Sequence, residues 1–310
     1  MTEFDYVIVG AGTAGCVLAA RLTQDPGTRV LLLEAGGAER TRAMTVPDAW
    51  PDLLGSAADW ADVTSAQADA GPVAYPRGRG LGGSGVINAM AHIRGHRAVY
   101  DGWAAGGAAG WGFADLLPYL RRSEHAEGRD PSLRGMAGPV QVAAVPGPDR
   151  HPVAVAFAWA LLQLGCPASD DLSGSRQDGV AWVDLAIAGG RRVSPADAYL
   201  APAMGRPNLA VYPGCVVTGL QVPDGRCTGV SYLRDGGVGP GPRSGGGDRV
   251  RGRGRLAAPA PVVRHRPGQA ATRPRHRRGR RPARRRAQPP GPPRRPGLLR
   301  HTRAAAPQPV

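Results

Sequence analysis

A glycine run set between two buried apolar strands constrains this chain more than any other feature. Tyr6-Val-Ile-Val9 is an apolar run of strand length, and Gly10-Ala-Gly12-Thr-Ala-Gly15 follows it at once. Residues 14–24 then place Cys16, Leu18, Ala19 and Leu22 at helical spacing, and Arg29-Val-Leu-Leu-Leu-Glu34 reads as a second buried strand. Strand, helix and strand within about thirty residues make a βαβ unit, the opening of a Rossmann-like α/β fold. The chemistry of the turn is specific. Gly10 permits the sharp exit from the strand, and Gly12 lets backbone approach a pyrophosphate. Gly15 lets the helix pack on the sheet, and the helix N-terminus, with Thr13 and Ala14, faces the phosphates. Glu34 closes the second strand, beside Ala35, where a carboxylate can accept ribose hydroxyls. The unit therefore predicts a dinucleotide site, and by itself it fits NAD as well as FAD.

A second glycine cluster, Arg77-Gly-Arg-Gly-Leu-Gly-Gly-Ser-Gly-Val-Ile-Asn88, begins some forty residues later. Successive N–H groups of such a loop form an anion-binding nest. The Gly78-Arg79 pair, Leu81-Gly-Gly-Ser84, Asn88, Gly95 and Asp101 follow one another in a fixed order, and the stretch resembles the first signature of the glucose–methanol–choline (GMC) family of FAD-dependent oxidoreductases. Trp103, Gly110-Trp-Gly112, Leu116-Leu-Pro-Tyr119 and Asp170-Asp-Leu-Ser-Gly174 extend the resemblance, which runs over residues 4–235. It implies FAD, with Gly83 near the pyrophosphate, Asn88, Ala89, Met90 and Ala91 beside the ribityl chain and flavin ring, and the Val217 backbone against adenine. Family members that link FAD covalently carry His just before the Asn. Ile87 stands there, which implies a non-covalent flavin. His92 occupies a position that is usually aromatic or alanine, and Ser84-Gly85 replaces a common pair of serines.

The resemblance also implies the chemistry: oxidation of a small-molecule alcohol, with hydride passing to the flavin and the electrons then to oxygen or a quinone as acceptor. The family's catalytic histidine lies beyond the matching region, so no catalytic residue is assigned. His92 is the one histidine of the body placed near the flavin.

Charge divides the chain sharply. All 39 basic residues are arginine, and residues 249–310 hold 19 of them with no acid, whereas residues 1–248 are mildly acidic. A tail of arginine, proline, alanine and glycine buries too little apolar surface to offset its ordering entropy, so disorder is expected from residue 236 onward. Clustered arginine can serve as a polyanion-binding arm. The tail lacks aromatic residues for base stacking, which argues against nucleic acid. Its codon-biased composition reads instead as an out-of-frame or truncated end.

The expected organisation is an FAD-binding domain over 1–150, a partial substrate domain over 151–205, strands returning over 206–235, and a basic tail over 236–310. Helices are expected at 114–124 and 152–164, with two strands within 207–233 around the turn at Pro223-Asp-Gly225. The four cysteines show no metal spacing. No apolar run reaches membrane-spanning length, and the acidic N-terminus is unlike a signal peptide, so a cytoplasmic location is expected.

Overall fold

In a computed structural model of the chain, the structure describes residues 3–66, 71–225, 227–234 and 248–257. All lie within one compact unit. Its centre is a six-stranded sheet of β1 (Phe4–Val9), β2 (Val30–Leu33), β3 (Leu209–Tyr212), β4 (Cys215–Gln221), β5 (Gly229–Arg234) and β6 (Asp248–Ala257), in the order β3-β2-β1-β6-β5-β4. The first four in that order are parallel neighbours, and β5 and β4 continue the sheet antiparallel.

The apolar runs form strands because both faces of a parallel sheet are covered. Ile8, Val30 and Leu32 lie on the face packed by α1 (Thr13–Leu22) and by the helical segment 196–203, through Cys16, Ala19, Tyr199, Leu200 and Ala203. The alternate residues Val7, Leu31 and Leu33 gather on the other face with Cys215, Val230 and Tyr232, joined by Phe4, which precedes a register irregularity in β1. Each strand thus divides its side chains between two cores with period two.

Around this body lie α2 (Arg97–Ala105), α3 (Phe113–Ser123) and α4 (Pro152–Gln163). The helix expected at 114–124 forms one residue earlier, and the one expected at 152–164 starts where expected and ends one residue sooner. Helix α2 has no counterpart in the sequence reading; its glycine-rich surroundings obscured a nine-residue helix capped by His96, whose Nδ1 accepts the Ala98 N–H at 3.2 Å. Residues 207–233 hold three strands rather than two. β3 is added because its backbone completes the parallel edge of β2, with Leu209 opposite Val30 and Tyr212 opposite Leu33.

The largest difference lies beyond residue 236. Strand β6 falls within the span 236–310, expected to be disordered, and its backbone pairs parallel with β1 and antiparallel with β5. Composition hid it. The alternation of Arg249, Arg251, Arg253 and Arg255 with Val250, Gly252, Gly254 and Leu256 is a period-two strand pattern, and a slot between two strands supplies backbone hydrogen bonds whatever the side chains are. Residues 236–247 and 258–310, the rest of the basic tail, lie outside the described residues.

Candidate cofactor site

The two glycine loops meet over the end of β1. The Gly10 N–H donates to the Leu33 carbonyl at 2.7 Å, tying the turn to β2, and the Gly82 N–H donates to the Ala11 carbonyl at 2.7 Å, tying the second loop to the first. Gly83 adopts φ +54°, and a Cβ there would stand 2.7 Å from the Gly12 Cα. Only a residue without a side chain fits that approach. Gly15 is fixed by packing as well: a Cβ would run into the Gly10 carbonyl oxygen.

At Gly12 the backbone conformation itself does not require glycine. Its φ of −70° is accessible to any residue, and a Cβ built on it meets nothing within 4 Å. The space beside it is open, at the N-cap of α1, with Thr13 and Ala14 exposed in the first turn. The backbone here forms a cradle that a side chain would fill. That is the form an anion site takes at a helix N-terminus.

Glu34 is buried and already engaged. Its Oε2 accepts the Ala11 N–H at 2.7 Å, and its Oε1 accepts the N–H groups of Gly36 at 2.8 Å and Gly80 at 3.1 Å. One carboxylate thus joins both glycine loops to the end of β2. An ionised carboxylate offers about four acceptor positions, so capacity for a ribose hydroxyl remains. Ala35 is half-buried beside it.

Further along the second loop, the 3-10 turn Gly83–Val86 leads to Asn88 and Ala89, both exposed, then to buried Met90 at φ +60°. The Asn88 Oδ1 accepts the Met90 N–H at 3.0 Å and steadies that left-handed residue. Ala91 and His92 form a short strand against Asp184–Leu185. Val217 lies in β4 opposite Tyr232, against the second core cluster. The backbone segments of residues 10–15, 34–36 and 80–83 are therefore tied together, residues 88–91 follow the second loop in sequence, and Val217 belongs to the antiparallel part of the sheet.

Sequence reasoning missed a buried ionic network next to this site. Glu124, fully buried at the end of α3, accepts from Arg94 at 2.5 Å, from Arg134 Nε at 2.8 Å and from the Gly135 N–H at 3.1 Å, and pairs with His92 Nε2 at 2.8 Å. Arg134, also fully buried, bridges on to Asp171 at 2.7 Å and Asp184 at 3.0 Å. Burial by itself pushes the Glu124 carboxyl up, yet the bonds from His92, Arg134 and Gly135 and the charge of Arg94 together bring it from 4.5 to about 2. The network spans residues 92–184, and no local periodicity could have signalled it.

Three of the four histidines in the body have structural partners. His92 is bound to Glu124, while His96 and His151 accept backbone N–H groups at the starts of α2 and α4, each at 3.2 Å. His125 sits half-buried in a short strand with Glu124. Cys16 is sealed under α1, where burial pushes its thiol up to about 12.

The arrangement of two glycine loops on one βαβ unit has close counterparts. The GMC oxidoreductase family matches this chain over residues 4–245. The chain belongs to the GMC oxidoreductase family. Human mitochondrial choline dehydrogenase is 41% identical over 244 residues, a match that covers 76% of this chain and 41% of that protein. Among solved structures, pyridoxine 4-oxidase from Mesorbium loti superposes with a TM-score of 0.76 at 33% identity, covering 83% of this chain and 49% of the other. An FAD-dependent oxidoreductase from Chaetomium thermophilum gives a TM-score of 0.74 at 28% identity, with 83% and 45% covered. The chain thus spans less than half the length of these relatives, and its α/β fold is that of the FAD-binding part of GMC oxidoreductases.

Proposed function

We propose that this chain binds FAD without a covalent link and belongs to an enzyme that oxidises a small-molecule alcohol. The observation that carries the reading is the open backbone cradle at Gly12, pressed against Gly83 and bounded by the N-terminus of α1. The residues fit the cofactor. The N–H groups of the first turn of α1, together with Gly83, would hold the pyrophosphate. Glu34 and Ala35 take the adenosine ribose, and the Val217 backbone faces adenine. Asn88, Ala89, Met90 and Ala91 border the flavin. Ile87 is buried and offers no nucleophile for a covalent bond.

When bound, the flavin accepts a hydride from the carbon that bears the substrate hydroxyl. The chain's own part is to hold and orient it. Glu34 fixes the two glycine loops so that no donor has to reorganise on binding, and the β1–α1 turn supplies fixed dipoles for the phosphates. Residues 151–205 begin a substrate domain. Choline is the first alcohol to test, given the names of the relatives, with oxygen or a quinone as terminal acceptor. Among the described residues no helix is long and apolar enough to cross a membrane.

The test is Gly12→Val beside the unaltered 310-residue chain, each refolded with FAD. We expect wild-type thermal unfolding of the cofactor-free protein, because the space beside Gly12 is open, together with loss of the flavin absorption that co-purifies with the unaltered chain. Equal flavin content in both proteins would remove Gly12 from the site, and no flavin in either would overturn FAD binding.

A further inference from the structure

Arg192 is a poor choice if its task is stability. It is 2% exposed, in the hairpin of Ile187–Ala188 with Arg191–Arg192. Its Nε and Nη2 are both buried and lack a hydrogen-bond partner. Buried donors without acceptors are costly, and an apolar side chain of similar length would avoid that cost. What an apolar side chain could not do is the work of Nη1. That nitrogen donates to the Asn88 carbonyl at 2.7 Å and to the Asn88 Oδ1 at 2.8 Å, with the Gly85 carbonyl at 3.4 Å. The same Oδ1 accepts the Met90 N–H, and Met90 is held at φ +60°. A non-glycine residue in that region is strained and persists only where its surroundings over-determine it.

The anchor of the arginine is independent of the loop it holds. The Arg192 N–H donates to the Thr45 carbonyl at 3.0 Å, and two residues on, Ser194 Oγ donates to Asp197 at 2.6 Å. Pro195 lies so close behind Gly85 that a Cβ there would strike its ring. The segment 192–197 is thus a rigid bracket behind residues 82–90, and Arg192 is its only charged side chain directed at Asn88 among the described hydrogen bonds.

We propose that Arg192 is a positioning residue for the cofactor: it clamps both oxygens of Asn88, sets the left-handed turn at Met90, and so fixes the Asn88–Ala91 edge against which the flavin lies. The flavin part of this rests on the FAD reading above; the clamp itself does not.

Three variants of the full chain test it: Arg192→Met, Arg192→Lys, and Leu200→Ala as a destabilising change in the α1 core, away from the loop. The first readout needs no cofactor. Amide hydrogen exchange at Met90 should speed up about tenfold or more in Arg192→Met, the equivalent of about 1.4 kcal/mol, and should remain near wild type in Arg192→Lys, whose ammonium can still reach an Asn88 oxygen. The second is the visible circular dichroism of bound flavin, together with FAD affinity. Arg192→Met should change the band shape and weaken binding about tenfold; Arg192→Lys should restore most of both, and Leu200→Ala should keep the wild-type band shape. Unchanged exchange at Met90 in Arg192→Met would overturn the clamp. Altered exchange with unchanged flavin spectrum and affinity would overturn the role toward the cofactor. If the unaltered chain takes up no FAD, the FAD reading and the flavin part fall together, while the exchange result still decides the clamp.

Discussion

At the scale of single residues, Glu34 shows how a side chain can serve a site before any ligand arrives. Its carboxylate takes the backbone N–H groups of Ala11, Gly36 and Gly80, the last of them 46 positions away in sequence. Charge-assisted bonds of this kind are the stronger ones, and removing the acceptor leaves buried donors unsatisfied. Glu34→Ala should therefore lower folding stability by on the order of 3 kcal/mol, besides weakening FAD. Urea unfolding with an unchanged slope and a lower midpoint is the expected record. A full-strength fold with weakened cofactor binding would mean that the carboxylate acts on the ribose alone.

At the scale of elements, the polar network of Glu124, Arg94, Arg134, Asp171, Asp184 and His92 fastens α3 to the loops around it where apolar packing is thin. Buried ion pairs of this kind need not add net stability, but breaking one strands its partner. The sign of the pH effect follows from Glu124. Its folded value, about 2, lies below its ordinary 4.5, so the stability it contributes is fully present above about pH 4.5 and is lost as pH falls towards 2. The shift corresponds to on the order of 3 kcal/mol. Glu124→Gln should flatten stability across that acid window while lowering it at neutral pH. Parallel chemical denaturation at several pH values between 2 and 6 measures both, and an unaltered acid slope in Glu124→Gln would place the dependence elsewhere.

At the scale of the whole molecule, the described residues offer, in the proposed reading, more backbone for a cofactor than side chains for catalysis. In the proposed reading, flavin binding draws on residues between 10 and 91 and on Val217, whereas alcohol oxidation also needs a positioned base, worth about 10²–10⁴-fold. Three of the four body histidines are held by structural bonds. We expect the 310-residue chain to bind FAD and to oxidise choline or other alcohols very slowly in a dye-coupled assay. Rates comparable with those of a full-length relative would require a base among residues such as His92. The apolar surface points the same way. Helix α4 has no buried residue, and Val153, Phe157, Trp159 and Leu164 are all more than 60% exposed. Exposed apolar surface of this size promotes association, so Phe157→Ser with Leu164→Ser should shift the chain from aggregates towards monomer in size-exclusion chromatography. An unchanged elution profile would mean that α4 is not the sticky surface.

What the sequence determined by itself is local. Strand, turn and helix over residues 4–34 follow from apolar runs, glycine positions and helical spacing, each set by a few adjacent residues, and the second glycine cluster carries its own signature. Helix α2 and strand β3 were harder to read because their signals are short and their stability comes from the neighbour they pair or pack with. Strand β6 alternates visibly but was masked by arginine, and its slot between β1 and β5 exists only once the sheet has formed. The contact of Gly83 with Gly12, the bonds of Ala11 and Gly80 to Glu34, the Glu124 network and the Arg192 clamp on Asn88 join residues from 10 to 104 positions apart. Sequence spacing has no term for such pairs. They arise when the sheet order brings distant loops to the same strand ends, and burial then makes every unmatched donor and charge costly enough to fix one arrangement.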